Sequence, residues 1–577
     1  MIDFRNVNTL WASVLVETLH RCGIDMAVIC PGSRSTPLTI AFASHPEISA
    51  IPILDERSAA FFALGRAKKT GLPTVLVCTS GTAGANFYPA VIEAKASSIP
   101  LIILTADRPP ELRNCHAGQT IDQVKLYGNL PNWQCEMALP EANLAMLRYL
   151  RQNIIQAWQQ SLLPNPGVVH LNIPLREPLA PIKQPLGEIE IQFPLDFFDA
   201  VIRTTPASNG VALPWNSWQD KSGIIIAGLA QPRNPEAYCQ AIALLSQGLS
   251  FPVIAEALSP LRNYAQLNPY LISTYDSILR QTAAQQLIPE VVIQVGELPT
   301  SKQLRNWLQD IDVERWVIEE RVDNFDPLHG KSIHLAISIE QIALKIPLKL
   351  KNIKNSSQTS YCQQWCNLET ATRTDLDHTL ESLNQMSEGK AAWLISRTLP
   401  SDTPIFLANS MSVRNAEFFW QPNNQRIAPY FSRGANGIDG TLSTALGIAY
   451  QDAGVLLTGD LALLHDTNGF LVSQKFQGHL TIILINNNGG GIFGILPIAK
   501  FSEFEEYFAT PQSVDFAQLC AAYDVEHIRI ASWQQLADLI ANLPQKGIRV
   551  LELICDRHSD AAWLKSNLAR FSKKIMY

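Results

Sequence analysis

Two apolar runs in the last third of the chain set the terms for the rest. One lies within LLTGDLALLHD (Leu456 to Asp466) and the other within TIILINNNGGGIF (Thr481 to Phe493). Each run stops abruptly at turn-forming polar residues, as a buried strand does. Oxygen ligands stand at both strand ends: the Asp460 carboxylate, the Asn487 side-chain amide and the backbone carbonyl of Gly489. Hard oxygens without His or Cys suit Mg²⁺, which keeps phosphate oxygens and water in its shell. A helix between the strands is expected to turn its N-terminal N–H groups toward the same anion. These residue types predict a metal–diphosphate site at the C-terminal edge of a parallel sheet.

A chain of 577 residues is too long for one core and implies about three domains. Residues 1–181 alternate helix and strand. A helix over Asn8 to Cys22, with Asn8 as its cap, precedes strands at Met26–Cys30, Ile48–Leu54, Thr74–Cys78, Leu101–Thr105 and Gly167–Ile173. The alternation lapses over 182–210, a linker. It resumes in a central block, 211–348, with strands at Gly223–Ala227, Pro252–Ala255, Val291–Val295 and Arg315–Ile318. The polar stretch from Lys349 opens a second linker, 349–380. The third block, 381–577, adds strands at Pro404–Ala408 and Val550–Cys555. The expected fold is α/β: three doubly wound domains with mainly parallel sheets.

A net charge of −7 gives no general attraction to nucleic acid or an anionic membrane. No apolar run reaches membrane-spanning length, and the N-terminus lacks a signal-peptide pattern. The ten cysteines show no paired metal spacing, with Cys362 and Cys366 an isolated CxxxC. A reducing cytoplasm is the expected compartment.

Gly459-Asp460, followed after a strand–helix–strand interval by Asn486-Asn487, resembles the thiamine diphosphate motif, with Leu461 where that motif has Gly. Longer stretches narrow the resemblance. Pro31-Gly32-Ser33-Arg34-Ser35-Thr36-Pro37, Asp55-Glu56-Arg57, Thr79-Ser80-Gly81-Thr82-Ala83 and Thr105-Ala106-Asp107-Arg108-Pro109 carry it in the first block. Gly118-Gln119-Thr120, the run Ser432 to Gly440 (SRGANGIDG) and Asn486-Asn487-Asn488-Gly489-Gly490 complete it. Together they resemble the 2-succinyl-5-enolpyruvyl-6-hydroxy-3-cyclohexene-1-carboxylate (SEPHCHC) synthase family of menaquinone and phylloquinone biosynthesis.

The resemblance implies a pyrimidine-binding, a central and a diphosphate-binding domain, and at least a homodimer, or a homotetramer. It makes Glu56 the carboxyl that activates the cofactor's aminopyrimidine; read from its position alone, Glu56 is a helix-start acid. A carboxyl kept protonated by an apolar pocket could donate to the ring nitrogen. Asp460, Asn487 and the Gly489 carbonyl would hold Mg²⁺ or Mn²⁺, Gly459 and Ser410 would line the cofactor, and Ile438 would be the apolar wedge that folds it. Arg34, Arg108, Arg414 and Arg433 each follow a strand or sit in a Gly/Ser loop, at the open edge where α/β sheets gather ligands. Guanidinium forks pair with carboxylates, and the family's substrates, 2-oxoglutarate and isochorismate, are dicarboxylates. Ser33, Gln119 and Lys302 are further donors to substrate.

The rivals are an acetolactate-synthase-like or simple 2-oxoacid decarboxylase, which would not need the arginines, and a non-catalytic cofactor-binding regulator. The regulator is disfavoured because Glu56 and all three metal positions are intact. A nicotinamide dehydrogenase fits worst, since no strand is followed by G-x-G-x-x-G. His116 and His465 are set aside as structural.

Overall fold

The computed structural model describes residues 2–186, 192–199, 201, 213–311, 313–321, 323–346 and 356–571. Its strands form three six-stranded sheets, and every neighbouring pair runs parallel. The first sheet contains β1 (Met26–Ile29), β2 (Ser49–Pro52), β3 (Thr74–Cys78), β4 (Leu101–Asp107), β5 (Trp133–Glu136) and β6 (Val168–Pro174). Its order is β2-β1-β3-β4-β6-β5. β1, β3, β4 and β6 are buried at every position. Their near-continuous apolar runs are what a sheet covered by helices on both faces requires.

The second sheet contains β7 (Gly223–Ala227), β8 (Val253–Ala255), β9 (Leu271–Ile272), β10 (Val291–Val295), β11 (Arg315–Ile318) and β12 (Ser332–Leu335), ordered β12-β11-β10-β7-β8-β9. Numbered within the domain this is 3-2-1-4-5-6 reversed, the dinucleotide-fold order. Its switch point, between β7 and β10, is pinched shut: a Cβ on Gly228 would lie 1.5 Å from the Glu297 carbonyl oxygen.

The third sheet contains β13 (Pro404–Leu407), β14 (Ala428–Tyr430), β15 (Ala453–Gly459), β16 (His479–Asn486), β17 (Glu526–Arg529) and β18 (Gly547–Ile554). Its order, β14-β13-β15-β16-β18-β17, repeats that of the first sheet strand for strand.

Packing divides the chain into two compact units. One holds 1–208 with 432–450 and 465–476; the other holds 209–431, 451–464 and 477–577. Two segments of the third sequence block therefore pack with the first block. The reason is local: the helix Thr441–Ala449 lies against the helix Glu56–Thr70 through small residues. Cβ atoms on Gly65 and Gly447 would each come within 2.0 Å of a backbone oxygen of the facing helix, Thr444 and Phe62 respectively.

Several sequence expectations change. The first helix runs Val7–Arg21 and its cap is Asn6, whose side chain accepts from Thr9 N–H; Asn8 instead donates to the Arg176 and Pro178 carbonyls. The stretch 349–380, expected as a linker, carries the helix Ser356–Ser382. Tyr361, Trp365, Leu376 and Leu380 recur at helical spacing and are buried, a stripe that the polar start of the segment hid. The linker 182–210 lies partly outside the described residues, and within it Phe197 and Phe198 pack into the first core. The helix expected after β15 is a short α-helix, Asp460–Leu464, too short to act as an anion-binding helix terminus, followed by a 3₁₀ stretch, Thr467–Lys475. No helix among the described residues is long and apolar enough to cross a membrane.

Candidate active site

The loops that follow β15 and β16 meet at a corner built from Asp460, Asn487 and Gly489. Asp460, 5% exposed, accepts from Leu461 N–H through Oδ1 and from Gly489 N–H through Oδ2, each at 2.8 Å. Burial raises its pKa from the ordinary carboxylate value, and the backbone N–H groups aimed at it oppose that rise. Gly489 has φ +132°, and a Cβ there would stand 2.4 Å from the Ala509 carbonyl oxygen, so only glycine fits. Its carbonyl accepts from Gly491 N–H at 2.9 Å, which leaves one lone pair for another partner.

Asn487 is buried, and its Nδ2 donates to Glu388 Oε1 at 2.5 Å. Its Oδ1 is buried with no hydrogen-bond partner among the described residues. A buried amide oxygen without a donor is costly unless something else satisfies it. A divalent cation is what this donor set, one carboxylate and two neutral oxygens, would accept. The residues therefore fit a Mg²⁺- or Mn²⁺-type ion.

Glu56 is the first residue of its helix, and the cap is Asp55, whose Oδ1 accepts from Ser58 N–H at 3.0 Å. Such caps contribute about 1 kcal/mol. Glu56 thus does not cap the helix. It is half-buried, with Asn86 Nδ2 donating to Oε2 at 3.3 Å. Burial raises the Cys78 thiol pKa, and the nearby Glu56 charge adds to the rise. Asp55 Oδ2 is tied to Asn468, and the buried Asp466 accepts from Ser443 N–H and Ser443 Oγ. Burial pushes the Asp466 pKa up to about 6.

The Ser432–Gly440 loop lies in the same unit as Glu56. Glu93 accepts from Gly434 and Ala435 N–H at 3.1 and 2.7 Å, which anchors the loop beside Arg433. Ile438 is only half-buried, so its side chain is not consumed by the core.

Two of the four arginines come together. Arg34, 6% exposed, follows β1; its backbone N–H donates to Thr79 Oγ1 after β3, and its guanidinium reaches the Leu175 carbonyl and, at 3.4 Å, Glu177. Its Nε has no hydrogen-bond partner among the described residues. Burial lowers its pKa, and the neighbouring Arg108 guanidinium adds to the lowering. Arg108 is half-exposed and rests on the Gly118 carbonyl. Gln119, with φ +58°, donates to the Ser80 carbonyl, and Ser33 stands exposed at the start of the Arg34 loop. Arg34 after β1 and Arg108 after β4 are neighbouring cations at the C-terminal edge of the first sheet, an anion-seeking pair.

Ser410 and Arg414 form a separate pair after β13, where Arg414 Nη1 donates to the Ser410 carbonyl at 2.6 Å. Ser410 holds φ +70°, ψ −126°, a strained backbone for a residue with a side chain. Arg433 lies on the Ser432–Gly440 loop, so the arginines are not gathered into one cluster within either unit. Lys302 begins the helix Lys302–Asp310 in the central domain and is exposed.

Sequence reading missed Glu388, Asn415, Glu93 and Asp466. Glu388 follows the capping Ser387 and reads as an ordinary first-turn acid. No signal along the chain reports that its carboxylate is buried against two asparagines.

Comparison with known proteins agrees with this geometry. Residues 11–126, 203–407 and 410–553 match, in turn, the N-terminal TPP binding domain, the middle domain and the C-terminal TPP binding domain of thiamine pyrophosphate enzymes. The chain is 63% identical to the 2-succinyl-5-enolpyruvyl-6-hydroxy-3-cyclohexene-1-carboxylate synthase of Gloeothece citriformis (strain PCC 7424), with 99% of each chain covered. Proteins of the same name from Trichodesmium erythraeum (strain IMS101) and Nostoc sp. (strain PCC 7120 / SAG 25.82 / UTEX 2576) are 61% and 58% identical, again over 99% of both chains.

Proposed function

The chain belongs to the SEPHCHC synthase family of thiamine diphosphate enzymes, and from that premise we propose how its residues divide the reaction. It is a thiamine diphosphate-dependent transferase of menaquinone or phylloquinone biosynthesis. 2-Oxoglutarate loses CO₂, and the succinyl carbanion equivalent adds in 1,4 fashion to isochorismate. The bound cofactor supplies the carbon nucleophile and holds the electron pair left by CO₂.

The protein's part is binding, proton handling and charge. Asp460, Asn487 and the Gly489 carbonyl would hold the divalent cation, Mg²⁺ or Mn²⁺, whose charge would offset that of the diphosphate. Gly459 and Ser410 line the cofactor, and Ile438 braces it. Glu56 hydrogen-bonds the aminopyrimidine and controls its proton. Arg34 with Arg108, Arg414, Arg433 and Lys302 read the carboxylates of the two substrates, with Ser33 and Gln119 as neutral donors. The enzyme works in the cytoplasm as a homodimer or homotetramer, with the Glu56 end and the metal end of each cofactor supplied by different subunits.

The buried Asn487 oxygen beside Asp460 and Gly489 supports this reading most directly, because it leaves an acceptor that a bound cation would satisfy. The test is loss of isochorismate in a mixture of purified protein, thiamine diphosphate, Mg²⁺ and 2-oxoglutarate. Turnover that needs all four components is expected. Consumption of pyruvate as readily as 2-oxoglutarate would favour an acetolactate-like enzyme instead.

A further inference from the structure

Asn487 has two chemically different ends, and something must decide which one meets the cation. Its Nδ2 donates to Glu388 Oε1 at 2.5 Å, while Asn415 Nδ2 donates to Glu388 Oε2 at 2.9 Å. Both oxygens of the Glu388 carboxylate are thus acceptors. Turning the Asn487 amide over would set Oδ1 against that carboxylate, acceptor to acceptor, with Glu388 5% and Asn487 6% exposed. The orientation that remains leaves Asn487 Oδ1 as the buried atom without a partner.

We propose that Glu388 is a positioning residue that fixes the Asn487 amide with its oxygen toward the cation, and so sets metal affinity without touching the metal. The proposal rests on the reading that Asp460, Asn487 and Gly489 hold the cation. A plainer role exists for Glu388, that of a first-turn acid after the Ser387 cap, favoured by the helix dipole. That role is served by a solvated carboxylate. It does not explain a buried one whose two oxygens are spent on amides from two other elements.

The test reads free Mn²⁺ by electron paramagnetic resonance at a fixed, saturating thiamine diphosphate concentration, using the full-length protein. Glu388→Ala should raise the Mn²⁺ Kd at least about tenfold, as loss of a ligand-orienting partner does, with unchanged circular dichroism. A folded Glu388→Ala protein with wild-type Kd overturns the proposal. Because that variant leaves a cavity, a second comparison stands independently. Asn487→Asp alone sets two carboxylates against each other, whereas adding Glu388→Gln restores an N–H to carboxylate contact. The double variant should bind Mn²⁺ at least about tenfold tighter than Asn487→Asp alone, and equal or weaker binding overturns the proposal. Asp460→Ala separates the two levels. If it leaves Mn²⁺ binding intact, the metal reading fails; if it abolishes binding while Glu388→Ala does not, only the role of Glu388 fails.

Discussion

The Asp460 carboxylate accepts a 2.8 Å hydrogen bond from the backbone N–H of Gly489, fastening the loop after β15 to the loop after β16. One carboxylate therefore both shapes the corner and supplies its charge. Asp460→Ala should abolish thiamine diphosphate binding at ordinary Mg²⁺ concentrations, since the diphosphate loses its metal bridge. Titration calorimetry with Mg²⁺ present checks this, and unchanged cofactor affinity would place the metal elsewhere.

Glu56→Gln should act differently. Apolar and diphosphate contacts remain, so cofactor affinity stays near wild type. Turnover should fall by about 10²–10⁴-fold, the usual worth of a positioned acid–base group. Near-normal deuterium exchange at C2 of the bound cofactor in this variant would remove Glu56 from the proton path.

The same two variants test the assembly. If each site draws Glu56 and Asp460 from different subunits, mixed dimers of Glu56→Gln and Asp460→Ala contain one intact site. Random mixing should then restore roughly a quarter of wild-type turnover from two inactive parents. If both residues come from one subunit, no mixed dimer has an intact site and activity stays at the level of the parents.

His170 gives a pH prediction remote from the chemistry. It is 2% exposed on β6, with Nε2 at 2.8 Å from Thr105 Oγ1. That hydroxyl donates in turn to Asn172 Oδ1, so it accepts from a neutral imidazole. Burial lowers the His170 pKa from 6.5 to about 4. A base with a depressed folded pKa contributes stability that is full above its unfolded value and is lost as pH falls toward the folded one. The window here is pH 6.5 down to 4. The contribution is on the order of 3 kcal/mol. The destabilisation caused by His170→Gln should accordingly be largest near pH 7.5 and shrink by pH 5. A penalty independent of pH, measured by thermal unfolding across that range, would show that the histidine is not buried neutral.

How much of this was legible along the chain follows from what each feature depends on. The buried strands β1, β3, β4, β7, β10, β13, β15 and β16 declare themselves because a doubly covered strand must be apolar throughout. The edge strands β5, β9, β12, β14 and β17 were missed. WQCE, SIHL and EHIR are short and partly polar, because a strand paired on one side buries less. The corner of Asp460, Asn487 and Gly489 was readable since these residues lie at strand ends that the pattern already located. Glu388 was not, because its meaning comes from a partner in another element, Asn487 Nδ2. The helix Thr441–Ala449 was assigned to the third block by sequence order, yet Gly447 fits it to Phe62 in the first.

The four arginines proposed to read substrate carboxylates carry the prediction that separates this enzyme from decarboxylating relatives. Arg34 is buried beside Arg108, with an unpartnered Nε and a pKa lowered by burial and then by its neighbour. Two neighbouring cations, one of them already facing Glu177 at 3.4 Å, favour an anion that arrives between them. If that anion is a substrate carboxylate, removing one guanidinium leaves it without its partner in the transition state. The cost should be about 2–5 kcal/mol, roughly 30-fold to a few thousand-fold in kcat/KM. Arg414→Ala and Arg433→Ala should show the same order of loss on whichever substrate each contacts. Cofactor affinity should hardly move in any of the four if the diphosphate is held through the proposed metal corner. Pyruvate should stay a poor donor for the wild type, lacking the distal carboxylate. The measurement is kcat/KM for each single Arg→Ala variant, with 2-oxoglutarate and isochorismate varied separately. Losses below about threefold for both substrates in all four variants would fall under any plausible carboxylate contact. The dicarboxylate assignment would then give way to a site for smaller, less charged 2-oxo acids.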